Sequence, residues 1–209
     1  MKMIRLFICT ALLAMVSSMA FAAPPLAAIT IDEPNPINTA TNGNWSLGWE
    51  FTPKWEVIAT RLGFFDNGLG LTQDHAVGLF AMDGTLLRTA TVDNADSSDG
   101  LFKWDTMDQG SITLSAGTHY VLMAVTGNEV YTYDPEYLTE NWGTFIQSAY
   151  DTSTTGSGQL TFPNTYKPSR TGFFGPNIEG GSAVPEPSTF LLLGAGLSGL
   201  AFIRRKSKK

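Results

Sequence analysis

Between residues 40 and 135 the chain is a series of short apolar runs, rich in β-branched and aromatic residues and bounded by Gly, Asn, Asp or Pro. Such runs are strands rather than helices. Residues 75–82 (HAVGLFAM) and 85–92 (TLLRTATV) flank Asp83-Gly84. Because Asp-Gly accommodates positive φ at both turn positions, this stretch is predicted as a two-residue β-hairpin. Strands are also predicted over 44–51, 56–66, 100–104, 111–114 and 118–126, the last two joined by a turn at Ser115-Ala116-Gly117. Weaker strand patterns cover 130–133, 158–162 and 170–174, and residues 134–157 read as a long loop with one helical turn. No internal repeat and no amphipathic helix is found between 23 and 184. The expected fold is all-β, an antiparallel two-sheet β-sandwich of jelly-roll-like form.

Both ends depart from this pattern. Residues 1–22 have a basic start (Lys2, Arg5), an apolar stretch and Ala20-Phe21-Ala22 ahead of Ala23, the layout of a secretory signal peptide cleaved after Ala22. The expected division is a signal peptide over 1–22, a sandwich domain over 23–179, a Gly/Ser linker over 180–183 and a tail over 184–209. In the tail, Pro185 and Pro187 hold Val184-Pro185-Glu186-Pro187 extended. Ser188 or Thr189 can cap a helix over 190–203, FLLLGAGLSGLAFI. That helix would be about 21 Å long against a hydrocarbon layer of about 30 Å. Arg204 and Arg205 can snorkel to close part of the gap. Gly194, Gly196 and Gly199 give the helix a close-packing face. Arg204, Arg205 and Lys206, followed by Lys208 and Lys209, would stop transfer and keep this end in the cytoplasm.

A Val-Pro-Glu-Pro elbow, a short Gly-rich apolar helix and a basic end closely resemble the PEP-CTERM sorting tail of Gram-negative envelope proteins. The resemblance covers residues 184–206. It implies signal peptidase and an exosortase, an integral-membrane cysteine transpeptidase, as processing partners. The chain would be held by its C-terminal helix in the inner membrane, with the body in the periplasm, until the exosortase releases it to the cell surface or matrix. It also implies an exopolysaccharide or biofilm setting. The body, through LGFFDNGLGL (62–71), HAVGLFAMDGTLLRTATV (75–92) and ITLSAGTHYVLMAV (112–125), resembles an uncharacterised β-sandwich family found with this tail. That likeness implies a fold and no chemistry.

Charge changes the picture of the body. Residues 23–184 carry 18 Asp and Glu against 6 Lys and Arg, a net charge of −12, although the whole chain stands at −6. A surface of this sign repels nucleic acid and anionic lipid. The only cysteine, Cys9, lies in the signal segment, so the exported domain has neither disulfides nor a thiol nucleophile.

Candidate chemistry is sparse, and an enzyme is not expected. Asp74 and His75 are adjacent, so in a strand they point to opposite faces and form no dyad. His119 opens a predicted strand and is expected to face solvent. No G-x-S-x-G elbow, H-E-x-x-H motif or P-loop occurs. Asp66, Asn67 and Asp74 place oxygen ligands around two glycines, a loop that can serve calcium or simply form Asx turns; Asp93–Asp99 is a second loop of that kind. All five tryptophans, at 45, 49, 55, 104 and 142, lie in the body. They can pack a core or offer flat faces to sugar rings. Trp142, in the long loop, is expected to be exposed, and Trp45 and Trp49 are expected to share a strand face. The function expected is structural or adhesive within an exopolysaccharide layer. The alternative is a carbohydrate-binding module with calcium-stabilised loops, contacting glycan through Trp142 and Trp45.

Overall fold

The computed structural model describes residues 24–31, 38–135, 138–153, 156–168 and 172–182. The signal segment with Ala20, Ala22 and Ala23 lies outside them, as does the tail from Val184 to Lys209. In chain order the strands are β1 (Leu26–Ala27), β2 (Ile29–Ile31), β3 (Thr39–Ala40), β4 (Ser46–Pro53), β5 (Val57–Phe65) and β6 (His75–Ala81). There follow β7 (Leu86–Val92), β8 (Ser97–Asp99), β9 (Phe102–Thr106), β10 (Ile112–Leu114), β11 (Tyr120–Val125) and β12 (Tyr131–Tyr133). The last are β13 (Leu138–Glu140), β14 (Gly143–Tyr150), β15 (Thr165–Lys167), β16 (Phe173–Phe174) and β17 (Pro176–Ser182). No helix occurs among the described residues.

Two six-stranded antiparallel sheets dominate. One runs β1-β17-β5-β9-β8 with β10 also paired to β5, and the other runs β15-β14-β4-β11-β6-β7. A three-stranded sheet, β16-β12-β3, and a pair, β13-β2, complete the described body. One buried cluster draws on both large sheets: Trp49 and Phe51 of β4, Leu122 of β11 and Leu79 of β6 meet Leu62 and Phe64 of β5 and Ile178 of β17. The Trp49 indole N–H crosses this core to donate to the Pro176 carbonyl at 2.9 Å.

The β4 sheet is buried on its other face as well. Phe80, Val121, Met123 and Ala149 form a second cluster there, under Leu160, Phe162 and Tyr166. This explains why β11 reads YVLMAV, apolar at every position, rather than alternating. Residues 158–162, expected as a strand, are instead a strap over that face with no ladder partner of their own. Ser46 Oγ donates to the Thr161 carbonyl at 3.1 Å, and Thr161 Oγ1 donates to Asp151 at 2.7 Å.

Three more expectations are corrected. Residues 134–157 are not a loop, because they contain β13 and the eight-residue β14, which pairs with β4. A bulge at Ile146, where the register jumps from Phe145 to Gln147, breaks the two-residue alternation that would have marked a strand. Gly180-Gly181-Ser182 is not a linker but the end of β17, paired with Ala59, Ile58 and Val57. A Cβ on Gly180 would sit 2.6 Å from the Val57 side chain and 2.7 Å from the Ile58 carbonyl oxygen, so glycine here permits close packing rather than freedom. The hairpin at Asp83-Gly84 exists, but its loop is Met82-Asp83-Gly84. Gly84 N–H bonds the Ala81 carbonyl at 3.0 Å, and Gly84 takes the positive φ of +88°. That is a three-residue turn closed by a glycine bulge. The turn at 115–117 is present, yet it carries the chain from β10 in one large sheet to β11 in the other.

His75 sits inside the core. Its ring stacks on Phe64 at 3.8 Å between centroids, Nδ1 is 2.9 Å from the Val125 carbonyl, and Nε2 has no hydrogen-bond partner among the described residues. Burial lowers its pKa from the ordinary value of 6.5. The unfolded chain therefore binds a proton that the folded protein refuses. This contribution to stability is complete above about pH 6.5 and is lost as pH falls below it. The urea midpoint is expected to drop as pH falls from 7 towards 5, and His75→Phe to flatten that part of the profile. A second expectation concerns Gly48, where a Cβ would overlap the Leu122 carbonyl oxygen of the neighbouring strand. Gly48→Ala is expected to cost about 1–3 kcal/mol or more in urea denaturation, as overpacking does.

Candidate functional site

The tryptophans divide between core and surface differently from expectation. Trp142, expected to be exposed, is only 2% accessible. It immediately precedes β14, meets Phe51 edge-on at 6.0 Å and donates its indole N–H to the Leu26 carbonyl at 2.6 Å. It is therefore a core residue and is unavailable to a glycan. Trp49 and Trp104 are buried too, and Trp55, 45% exposed, is the most accessible of the five. Trp45 does not share a platform with Trp49. It precedes the first residue of β4 and is half-buried in a separate cluster.

That cluster lines a cleft. Along the inner face of β4, Phe51 and Trp49 are closed over by the large sheet that holds β5 and β17, whereas Leu47 packs with Tyr131 and Phe173 of the three-stranded sheet. Here a cavity of about 290 Å³ opens, bordered by Asn42, Trp45, Tyr131, Tyr150, Lys167 and Phe173. Trp45 and Tyr150 face each other at 6.0 Å and an angle of 34°. Phe173 meets both Tyr150 and Tyr131 edge-on, at 5.9 and 5.7 Å. Asn42 Nδ2 donates to Tyr131 Oη at 2.9 Å, and Lys167 Nζ lies 5.1 Å from the centre of the Tyr150 ring.

Each wall has a local origin. Tyr150 lies opposite Leu47 in the β14–β4 ladder, so the two side chains share a face. Lys167 lies opposite Ser148, which puts it diagonal to Tyr150 on that face. The backbone at Trp45 is fixed on both sides, with its N–H on Gly43 and its carbonyl accepting from the Thr126 N–H. Of this set only Trp45 was singled out in the sequence. The other aromatic walls come from β12 and β16, which have weak strand patterns, and from β14, which reads as loop, and only their aromatic residues hinted at them.

The acidic loops are organised as turns. Asp66 Oδ1 accepts from the Gly68 N–H at 2.7 Å, and Asn67 takes a positive φ of +52°. Asn94 ties the two loops together by accepting from the Leu71 N–H at 3.1 Å. Asp93 Oδ1 accepts from the Ala95 N–H, and Asp96 accepts from the Asp93 N–H. Asp74 is exposed at the far end of its loop. No group of three or more His, Cys, Asp or Glu side chains among the described residues converges to hold a metal ion. Burial raises the pKa of Asp96 from its ordinary value.

His119 is half exposed, as expected, but it is not idle. Its Nδ1 pairs with Glu50, a buried carboxylate on the outer face of β4 that also accepts from Gln147 Nε2. A charge buried this deeply needs such partners, and nothing in the sequence connects residues 50, 119 and 147. Asp74 lies just outside β6, which begins at His75, and is exposed while His75 is buried.

The described body is thus an all-β domain with an aromatic-walled cleft beside its core. Residues 32–174, 143 of the 209, match the domain of unknown function DUF4082, and the chain belongs to that family. The match spans every residue of the cleft. Residues 183–206 match the PEP-CTERM protein-sorting motif, which marks the chain for exosortase-dependent export to the cell envelope. No curated protein is significantly similar to the chain. Since Asp66 serves its own turn, Asp66→Ala is expected to lower stability by about 1–2 kcal/mol, equally in chelator and in millimolar calcium, as read from urea denaturation.

Proposed function

We propose that this chain is a non-enzymatic structural or adhesive component of an exopolysaccharide layer. It is exported by its N-terminal signal segment, held briefly at the inner membrane with the body in the periplasm, and released by exosortase cleavage at the elbow. The observation that carries this reading is the sorting motif at residues 183–206. It begins directly after Ser182, the last residue of β17, so processing at Val184-Pro185-Glu186-Pro187 would leave the folded body nearly intact. A non-catalytic role is supported by the loop carboxylates at Asp66, Asp93 and Asp96, which are engaged in turns.

A second reading, a carbohydrate-binding module, is favoured by the cleft at Trp45 and not by Trp142. The two are compatible, since adhesion in a polysaccharide layer requires a surface that grips sugar. Calcium-stabilised loops form no part of either reading.

Intact mass is the direct test. The form recovered from the envelope or medium is expected to lack the residues beyond the elbow as well as the first 22. With Pro185 and Pro187 both changed to Ala, the chain is expected to accumulate at the membrane with its tail attached. A wild-type chain that stays full-length in cells containing the exosortase overturns the processing step.

A further inference from the structure

We propose that the cleft bordered by Trp45, Tyr150 and Lys167 binds an acidic pyranose residue of a polysaccharide, the sugar ring against the aromatic walls and its carboxylate on Lys167 Nζ. This rests on the adhesive reading and names the ligand class.

Size comes first. A cavity of about 290 Å³ falls at the lower limit of small-molecule pockets, roughly 300 Å³ upward, which suits one sugar residue better than a long apolar chain. Shape follows, because Trp45 and Tyr150, packed as a tilted pair, together form an aromatic wall of the cleft. Aromatic faces are electron-rich, and the axial C–H bonds of a pyranose present a weakly positive, flat surface to them. Asn42 brings an amide to the rim for hydroxyl groups.

Charge then selects the sugar. The other described cations of the body have oxygen partners: Lys54 the Glu140 carbonyl, Arg61 the Glu179 carboxylate, Arg88 the carbonyls of Leu87, Gly110 and Ser111, and Lys103 those of Asn94 and Asp96. Among the described residues Lys167 has no hydrogen-bonded oxygen and no ion pair, only the Tyr150 ring. Among the described residues no carboxylate borders the cleft. A body of net charge −12 thus keeps its one oxygen-free described cation over an aromatic wall. Long-range repulsion by that acidic body is damped beyond about 8 Å at physiological salt, so the charge inside the cleft decides. An ammonium already turned towards a ring is partly stripped of water, and a carboxylate can meet it in a charge-assisted hydrogen bond.

The experiment is calorimetric titration of the purified full chain with tetramers of galacturonate, glucuronate and mannuronate, each alongside its methyl ester, which keeps ring and linkage and removes the charge. At least one acid tetramer is expected to bind about tenfold more tightly than its ester, the difference one charged hydrogen bond supplies, and more tightly than its free monosaccharide. Lys167→Met is expected to erase the preference while leaving ester binding in place. Trp45→Leu, which keeps the apolar packing, is expected to weaken acid and ester together, with near-UV circular dichroism confirming the fold. Equal binding of acid and ester, indifferent to Lys167→Met, overturns the acidic specificity and leaves the adhesive reading standing. If no tetramer binds, the proposal falls; retention of the chain on the cell's own exopolysaccharide then shows adhesion through another surface, and no retention removes the adhesive reading too.

Discussion

The hydrogen bond from the Trp49 indole to the Pro176 carbonyl runs through the middle of the core and joins one large sheet to the other. Trp49 meets Phe51 at 5.2 Å and Phe174 at 5.6 Å, so this buried indole is fixed by ring contacts and by a polar anchor together. An indole N–H left unpaired at this depth would be costly, and so would the Pro176 carbonyl. The first residue of β17 is therefore held where β17 must begin, and its pairing with β5 follows. Trp142 repeats the device by donating to Leu26 at the start of β1, and Asn177 does so by donating to Ile29 in β2. With no cysteine between residues 10 and 209, such crossings do the tying that disulfides do in many exported domains.

Closing the core in this way leaves an opening where the large sheet that holds β5 and β17 does not cover β4. Phe51 and Trp49 are sealed between the sheets, while Leu47 is capped only by the small sheet that carries Tyr131 and Phe173. The aromatic cleft is thus the open end of the core, and its walls are core residues by type. Rigidity there comes from the ladders that hold Tyr150 and Lys167 and from the backbone bonds on either side of Trp45. A surface built on strands in this manner changes little when it is filled.

The acidic character of the body has two physical sources. Much of it belongs to turns, where Asp66, Asp83, Asp93 and Asp96 accept backbone N–H groups that the strands leave unpaired. Some is buried beside a partner, as Glu50 is with Gln147 and His119 and Glu179 is with Arg61. Neither source requires a metal ion.

What the sequence determined by itself is local. Apolar runs punctuated by Gly, Asn and Asp marked β4, β5, β6, β7, β9, β10 and β11, and the order of unlike elements after residue 183 marked the sorting tail, because both signals depend on neighbours in the chain. What only the tertiary structure decided is non-local. Burial of Trp142 depends on Phe51 and Leu26, far away in sequence, and the strand at 143–150 was hidden by its own bulge. Gly180 and Gly181 looked flexible but serve close approach to β5, a distinction made by the facing backbone and not by the glycines. The cleft likewise gathers residues from positions 42 to 173. Each wall is an ordinary aromatic or polar residue until the ladders bring it to its neighbours.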